Sequence, residues 1–361
     1  MVYYSNWMFK SLSAKIAVDL GARYLRVLVV REGEQAGWEI NANAVQQRLI
    51  EEIACVARAR GSGKVLAVGY EALEMRGRLD QEVEVVFPFE VSRIVEVEAA
   101  RRLLQAVLRR AFNQHLIIQP QVLVVTNSQI SEITRQSISD LFHELGFAKV
   151  HLVAAPLAAA IGAGVPVADA SGACLLHLGA SSVEASMIGL ASVLAVKHSR
   201  RAGNHFEQAI RDLLAGDEQL LIGHETATLL KEQLLQIDSQ APVAQKLEVV
   251  GQTVQQHLPQ ALHVKSSLLE PVAAQMRSEY VSLLRELLQA VPPDLTTDLL
   301  HKGLLLTGGL AKLRGLEAFL SQELQLPVAL VEESDKLAII GAATLFSNLS
   351  RFEGRLGYGE R

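Results

Sequence analysis

Two stretches of the chain share one pattern of apolar and polar positions. Residues 15–31, KIAVDLGARYLRVLVVR, are an apolar run interrupted by Asp19, a turn at Gly21 and an alternating apolar run. Residues 172–190, GACLLHLGASSVEASMIGL, repeat the design with His177 and Gly179 in the corresponding places. Period-two alternation around a small-residue turn predicts a β-hairpin, and its recurrence predicts an internal duplication. Elsewhere, helical and strand-like segments alternate, which places the chain in the α/β class. The spacing predicts a helix over 96–112, with Leu103, Leu104, Val107, Leu108 and Phe112 inward and its arginines on a solvated face. It further predicts a buried strand over 121–126, a helix over 131–145 closed by Gly146, and a strand over 151–155. Pro156 opens an Ala-rich helix at a position that tolerates proline, and Asn204 is placed to cap a helix running through Leu214. Helices follow over 226–237 and 266–290, the second halted by Pro292 and Pro293. The last unit is a strand over 303–307, the pair Gly308–Gly309 and a helix over 313–324.

Length and composition narrow the class. A chain of 361 residues, half of them hydrophobic and 20% charged, is long enough for about two domains and too apolar for intrinsic disorder. The formal net charge of −5, with both signs interspersed, is the wrong balance for a nucleic-acid partner. Cys55 and Cys174 are isolated and suit a reducing compartment, and no apolar run reaches the length of a membrane-spanning helix. Without a signal-peptide pattern, the expected location is the cytoplasm. The first residues add a membrane surface to that picture. If residues 1–14 are helical, Tyr3, Tyr4, Trp7, Met8 and Leu12 share one face; with Phe9, and beside Lys10 and Lys15, they suit an anionic lipid interface. The alternative is an apolar tail folded onto the body.

The candidate chemistry lies at the glycine turns. Two such turns facing each other would clamp phosphate, because turn N–H groups converge on anionic oxygens. A carboxylate beside each would hold Mg²⁺ through its waters. Asp19 meets that need in the first hairpin, whereas His177 in the second is a poor partner for magnesium. Strand, glycine pair and helix at 303–324 also bring backbone close to a nucleotide. No histidine pair or cysteine neighbour has metal-ligand spacing, and Ser181 and Ser182 read as turn-capping residues.

Five stretches carry a family resemblance: IAVDLG at 16–21, PLAAAIGAGVPVADASG at 156–172, GNHFEQAI at 203–210, LIGHETATLLK at 221–231 and LLTGGLAKLRGL at 305–316. Taken in order, they resemble the MreB branch of the bacterial actin-like ATPase superfamily over nearly the whole chain. The resemblance implies an actin-like two-lobed fold of duplicated ribonuclease-H-like domains around a nucleotide cleft. Lobe I would be 15–155, with a small subdomain at 35–79 and completed by 330–350; lobe II would be 156–329. Residues 1–14 would be the anchor and 351–361 a tail. It implies ATP and Mg²⁺ as ligands, with contacts from Asp19, Gly21, Ala22, Arg23 and Tyr24; from Gly179, Ala180, Ser181 and Ser182; from Thr228 and Lys231; and from Thr307, Gly308, Gly309, Leu310 and Ala311. Asp19 would hold the metal through water. It also implies self-assembly into filaments or co-assembly with an orthodox homologue, binding to the inner membrane face, and envelope proteins of cell-shape determination as partners.

The sequence departs from the family where the triphosphate chemistry would occur. Ala22 replaces a threonine, and Tyr24 brings bulk to the first turn. The family's Asp-Ile-Gly-Gly-Gly-Thr-Thr-Glu reads His177-Leu178-Gly179-Ala180-Ser181-Ser182-Val183-Glu184. Side chains at Ala180 and Ser181 are expected to strain a turn that calls for left-handed backbone. Thr228 stands for a nucleoside-contacting glutamate. Ala155 stands for the water-activating glutamate, and loss of a general base costs about 10²- to 10⁴-fold in rate. The expected function is a membrane-associated cytoskeletal filament protein of cell shape that binds ATP with weak or no hydrolysis. The alternatives are an actin-like adaptor of a pilus-assembly or division complex and an active ATPase using substituted residues.

Overall fold

The computed structural model describes residues 15–30, 48–76, 82–112, 120–238 and 245–348. The anchor candidates Tyr3, Tyr4, Trp7, Met8 and Phe9, and the tail 351–361, lie outside the described residues. The chain divides into two compact units, the first of Met1–Ser171, Ile188–Leu194 and Lys336–Arg361, the second of Gly172–Met187 and Ala195–Asp335.

The core of the first unit is a sheet of β1 (Lys15–Leu20), β2 (Tyr24–Val30), β3 (Leu49–Ile53), β9 (Gln121–Thr126) and β10 (Lys149–Ala154). Its order is β3-β2-β1-β9-β10. The first three strands pair antiparallel, whereas β9 runs parallel to β1, and β10 to β9. Ile16, Val18 and Leu20 alternate onto one face, where Leu103, Leu104 and Val107 of the Val97–Phe112 helix bury with them. That helix is as predicted, and so is the next, Glu132–Glu144, whose start is fixed by Ser131 accepting from the Thr134 amide. The intervening strands β4 (Val56–Ala59), β5 (Val65–Val68) and β6 (Val83–Val86) form a small sheet with its own core around Ile53, Cys55 and Ala72. It reaches past residue 79, the expected end of the small subdomain. A two-strand hairpin of β7 (Phe89–Glu90) and β8 (Arg93–Ile94) follows.

The second unit repeats the plan. Strands β11 (Ala173–Leu178), β12 (Val183–Gly189), β13 (Ser192–Ser199), β17 (Leu304–Thr307) and β18 (Val328–Leu330) stand in the order β13-β12-β11-β17-β18. Here too the first strand pairs parallel with a late one, β11 with β17, and β17 with β18. The strands β1 and β11 even share one pattern of buried and half-buried positions, with Asp19 and His177 both at the fifth residue. The duplication read from the two hairpins is therefore a duplication of sheets. Val183, Ala185 and Met187 face a core that includes Phe206, Tyr280 and Leu320.

Several boundaries differ from the sequence reading. The first unit extends to Ser171, not 155, and resumes at Lys336. The reason is packing: the Ala155–Gly162 helix lies against the Leu337–Ser347 helix, and a side chain at Gly341 would meet the Ala158 carbonyl, as one at Gly162 would meet that of Leu337. Two glycines let these backbones touch. The helix predicted from Asn204 begins at Gly203 after Ala202, with no side-chain cap, and runs to Asp217. The 226–237 helix is His224–Gln233, and the 266–290 helix is a 3₁₀ turn, Ser266–Leu269, continued by Glu270–Ala290. Pro293 starts a further helix, Pro293–Lys302, where the sequence suggested only a stop. The helix expected over 313–324 is Leu316–Leu324, preceded by a 3₁₀ turn, Gly309–Lys312. The strand β14 (Leu220–Leu221) and the hairpin of β15 (Lys246–Thr253) and β16 (Pro259–Lys265) form a sheet that the sequence reading missed.

Both cysteines are buried thiols. Burial pushes the Cys174 pKa up to about 12, and the Cys55 thiol donates to the Gly69 carbonyl at 3.3 Å.

Candidate functional site

In the first unit the candidate residues gather at the end of β1. Asp19 lies opposite Arg26 in the β1–β2 register, and Arg26 lies opposite Glu51 in the β2–β3 register. Directly paired residues of antiparallel strands share a face, so the three form one row across the sheet. Arg26 Nε donates to Glu51 Oε2 at 2.6 Å, and Arg26 Nη1 stands 3.7 Å from Asp19 Oδ2. The guanidinium also lies over the Tyr24 ring, 5.1 Å from its centroid. Burial raises the Asp19 pKa, outweighing the lowering pull of Arg26. The expectation that Asp19 holds a metal through water thus meets a different arrangement: its ion-pair partner is a protein cation.

Gly21 makes the turn possible by close approach, because a Cβ there would sit 2.5 Å from the Tyr24 carbonyl oxygen. The bulk of Tyr24, expected to crowd the turn, is taken up against the Ile53–Cys55 cluster. The Arg23 carbonyl accepts from the Ala54 amide at 2.9 Å, tying the turn of Ala22 and Arg23 to the end of β3. Ala155, the first residue of its helix, is buried and carries no polar side-chain atom.

The second unit brings most of the other candidates together. Gly179 donates its amide to the Ser182 carbonyl at 2.9 Å, and a Cβ at Gly179 would sit 2.8 Å from that oxygen. Among the described residues, non-glycine residues of positive φ occur elsewhere, at Val91, Ser92, Leu190, Ala191, Gln219, His257, Gln325 and Glu333. Ala180, Ser181 and Ser182 therefore sit in ordinary backbone conformations, which corrects the expected strain. The turn is buttressed from behind. The amides of Gly203 and Asn204 donate to the carbonyls of Gly179 and Ala180 at 3.3 and 2.8 Å, so the first N–H groups of that helix are spent within the fold. A Cβ at Gly203 would lie 3.3 Å from Ala180 Cα and 3.5 Å from Lys231 Nζ. Lys231 in turn donates to Glu207 at 2.5 Å; these two residues are 6% and 7% exposed. Thr228 donates its hydroxyl to the His224 carbonyl one helical turn back.

His177 Nδ1 is hydrogen-bonded to Thr307 Oγ1 at 3.0 Å, across the parallel pair that puts these residues side by side. Gly308 follows at φ 87°, and a Cβ there would collide with the Leu178 carbonyl, so only glycine suits this crossing. Its amide donates to the Ser334 carbonyl at 2.8 Å. Gly309 has open space where a side chain would project. Leu310 and Ala311 point into the core, leaving only their backbone to meet a ligand.

The donor chemistry does not fit a protein-held magnesium ion. Asp19 is paired with Arg26, position 177 supplies an imidazole engaged by Thr307, and among the described residues no group of three or more His, Cys, Asp or Glu side chains is arranged around a cation position. Sequence reasoning missed Arg26, Glu51, Glu207 and Ser334. A signal existed for Arg26 alone, a charge inside an otherwise apolar strand, YLRVLVV.

The arrangement has relatives. The model of the MreB/Mbl protein family matches residues 13–354. The chain belongs to the MreB/Mbl family. It is 26% identical over 307 residues to the cell shape-determining protein Mbl of Bacillus subtilis, covering 85% of this chain and 92% of that one. To the cell shape-determining protein MreB of Escherichia coli K12 it is 29% identical over 324 residues, covering 89% and 90%. Among solved structures, MreB5 of Spiroplasma citri bound to ADP superimposes with a TM-score of 0.85 at 22% identity, over 94% of this chain and 98% of that one. A MamK double helical filament gives 0.74 at 17% identity, over 94% and 99%. The fold is actin-like, and the two sheets are the halves of its duplication.

Proposed function

We propose that this member of the MreB/Mbl family is a cytoskeletal protein of cell shape that forms or joins filaments at the inner face of the cytoplasmic membrane, binding ATP with weak or no hydrolysis. The observation that carries the reading is the contrast between frame and chemistry. The glycine turn after the first strand is kept in both sheets, while the ionisable group beside each turn is already engaged inside the protein. A kept frame supports nucleotide binding. Ala155, which can neither take a proton nor orient water, supports slow hydrolysis. The names of the curated relatives support the cell-shape role, the ADP-bound MreB5 supports the nucleotide, and the MamK filament supports self-association. Nucleoside contacts fall to Lys231, Thr228 and the Thr307–Ala311 turn. The aromatic residues Tyr3, Tyr4, Trp7 and Phe9, with Met8, supply the lipid contact.

Electron microscopy of the full chain on anionic liposomes, with Mg·ATP and with nucleotide omitted, tests this reading. Filaments in both conditions mean a polymer uncoupled from hydrolysis, and filaments only with ATP mean that the site still binds. Filaments in neither would overturn self-assembly and shift the reading to an adaptor or co-polymer that needs a partner. Replacing Trp7 and Phe9 with serine is expected to release the protein from the liposomes without unfolding it; unchanged co-sedimentation would remove the anchor.

A further inference from the structure

Arg26 occupies an unusual position for a charged residue. It sits mid-strand in β2, between Leu25 and Val27, which are fully buried, and is itself 7% exposed. A charge so placed is stable only if it is paired. Its pairing is fixed by strand register rather than by a flexible surface contact: Asp19 flanks it on β1, Glu51 on β3, and the Tyr24 ring lies against its guanidinium. An arginine stays protonated at any pH the fold survives. Mg²⁺ held by a carboxylate through water needs that carboxylate's outer surface for its hydration shell. With Arg26 Nη1 at 3.7 Å from Asp19 Oδ2, a guanidinium stands on that surface. Moving it aside would strand Glu51, to which its Nε is bonded at 2.6 Å.

We propose that Arg26 is a built-in cation that takes over at Asp19 the charge-balancing place of a divalent ion, so that a nucleotide held by this chain is bound without a protein-held magnesium. The nucleotide half of this statement rests on the function proposed above; the metal half does not. Two carboxylates and one guanidinium leave the row with a net charge of −1, so it offers a phosphate no net attraction, and affinity falls to contacts elsewhere.

Two measurements on the full chain separate the halves. The first uses Mn²⁺ alone, titrated by electron paramagnetic resonance against the wild type and Asp19→Asn. Mn²⁺ binding that Asp19→Asn leaves unchanged, or no binding at all, supports the assignment; a site lost in Asp19→Asn overturns it. The second is calorimetric titration with ATP in Mg²⁺ and in chelator. Wild-type affinities are expected to agree within about threefold, whereas Arg26→Met, which uncovers Asp19, is expected to bind at least about tenfold tighter with Mg²⁺. A tenfold magnesium dependence in the wild type would overturn the proposal. Arg26→Lys keeps the charge and is expected to remain independent of magnesium, which preserves the comparison if Arg26→Met does not fold. If ATP binds under neither condition, the nucleotide reading fails, and the Mn²⁺ titration decides the role of Arg26.

Discussion

The two glycine turns are built alike and furnished differently. In each, a strand of the same burial pattern ends in a polar residue, a leucine and a glycine, and a side chain on the glycine would press on the carbonyl three residues ahead. In the first turn the polar residue is a carboxylate paired with a strand-borne arginine, and in the second it is an imidazole paired with a hydroxyl. The second turn's ion pair, Lys231 with Glu207, lies behind it, between two helices. The frame thus depends on backbone approach and tolerates either charged or neutral partners. Chemistry at these turns is free to drift while the fold stays fixed.

Five substitutions would break or sharpen this contrast. The largest effect is expected from Lys231→Met, which leaves Glu207 buried and unpaired behind the second turn. The cost should be about 3 kcal/mol in urea unfolding followed by circular dichroism, and a loss under about 1 kcal/mol would show that the pair is dispensable. Next come the glycines. Gly21→Ala should cost about 2 kcal/mol and Gly179→Ala about 1 kcal/mol, in that order, because the approach at Gly21 is the closer; the reverse order would refute backbone proximity as the cause. Thr307→Val deletes the partner of His177 Nδ1 and should lower stability by about 1 kcal/mol in the same assay. The smallest effect has the most telling sign. Ala180→Gly, which returns the family's glycine, should destabilise by about 0.5 kcal/mol through unfolded-chain entropy, since position 180 has no positive φ to relieve. A gain in stability would revive the strain expected from sequence.

What could be read from the sequence follows from what is local. The hairpins, the helices over residues 96–112 and 131–145 and the strand over 121–126 announce themselves because period and punctuation agree within a dozen residues. The unit boundary was misplaced because it depends on Gly162 meeting a helix that comes near the end of the chain. The β15–β16 hairpin was missed because its apolar positions are not all inward; Val250 is 66% exposed. Arg26 as the partner of Asp19 needed the register of the turn, which composition does not give. The strain expected at Ala180 and Ser181 came from reading family glycines as conformational necessities. In this chain the left-handed backbone of the second unit's site falls instead at Gly308, where collision with Leu178 requires it.

The contact between Gly162 and Gly341 also sets an order in time. The Ala155–Gly162 helix leaves the ribosome long before the Leu337–Ser347 helix that it packs against, and the whole second unit is synthesised between them. Domains fold as they emerge when their contacts are all present, and long loops must close before non-local packing rewards them. The second unit has its complete set of strands once β18 is out, whereas the first must wait for the Leu337–Ser347 helix. The half of the protein that is translated first is therefore the half that finishes folding last, and a chain truncated before residue 336 would carry a completed second unit beside a first unit with an open apolar face.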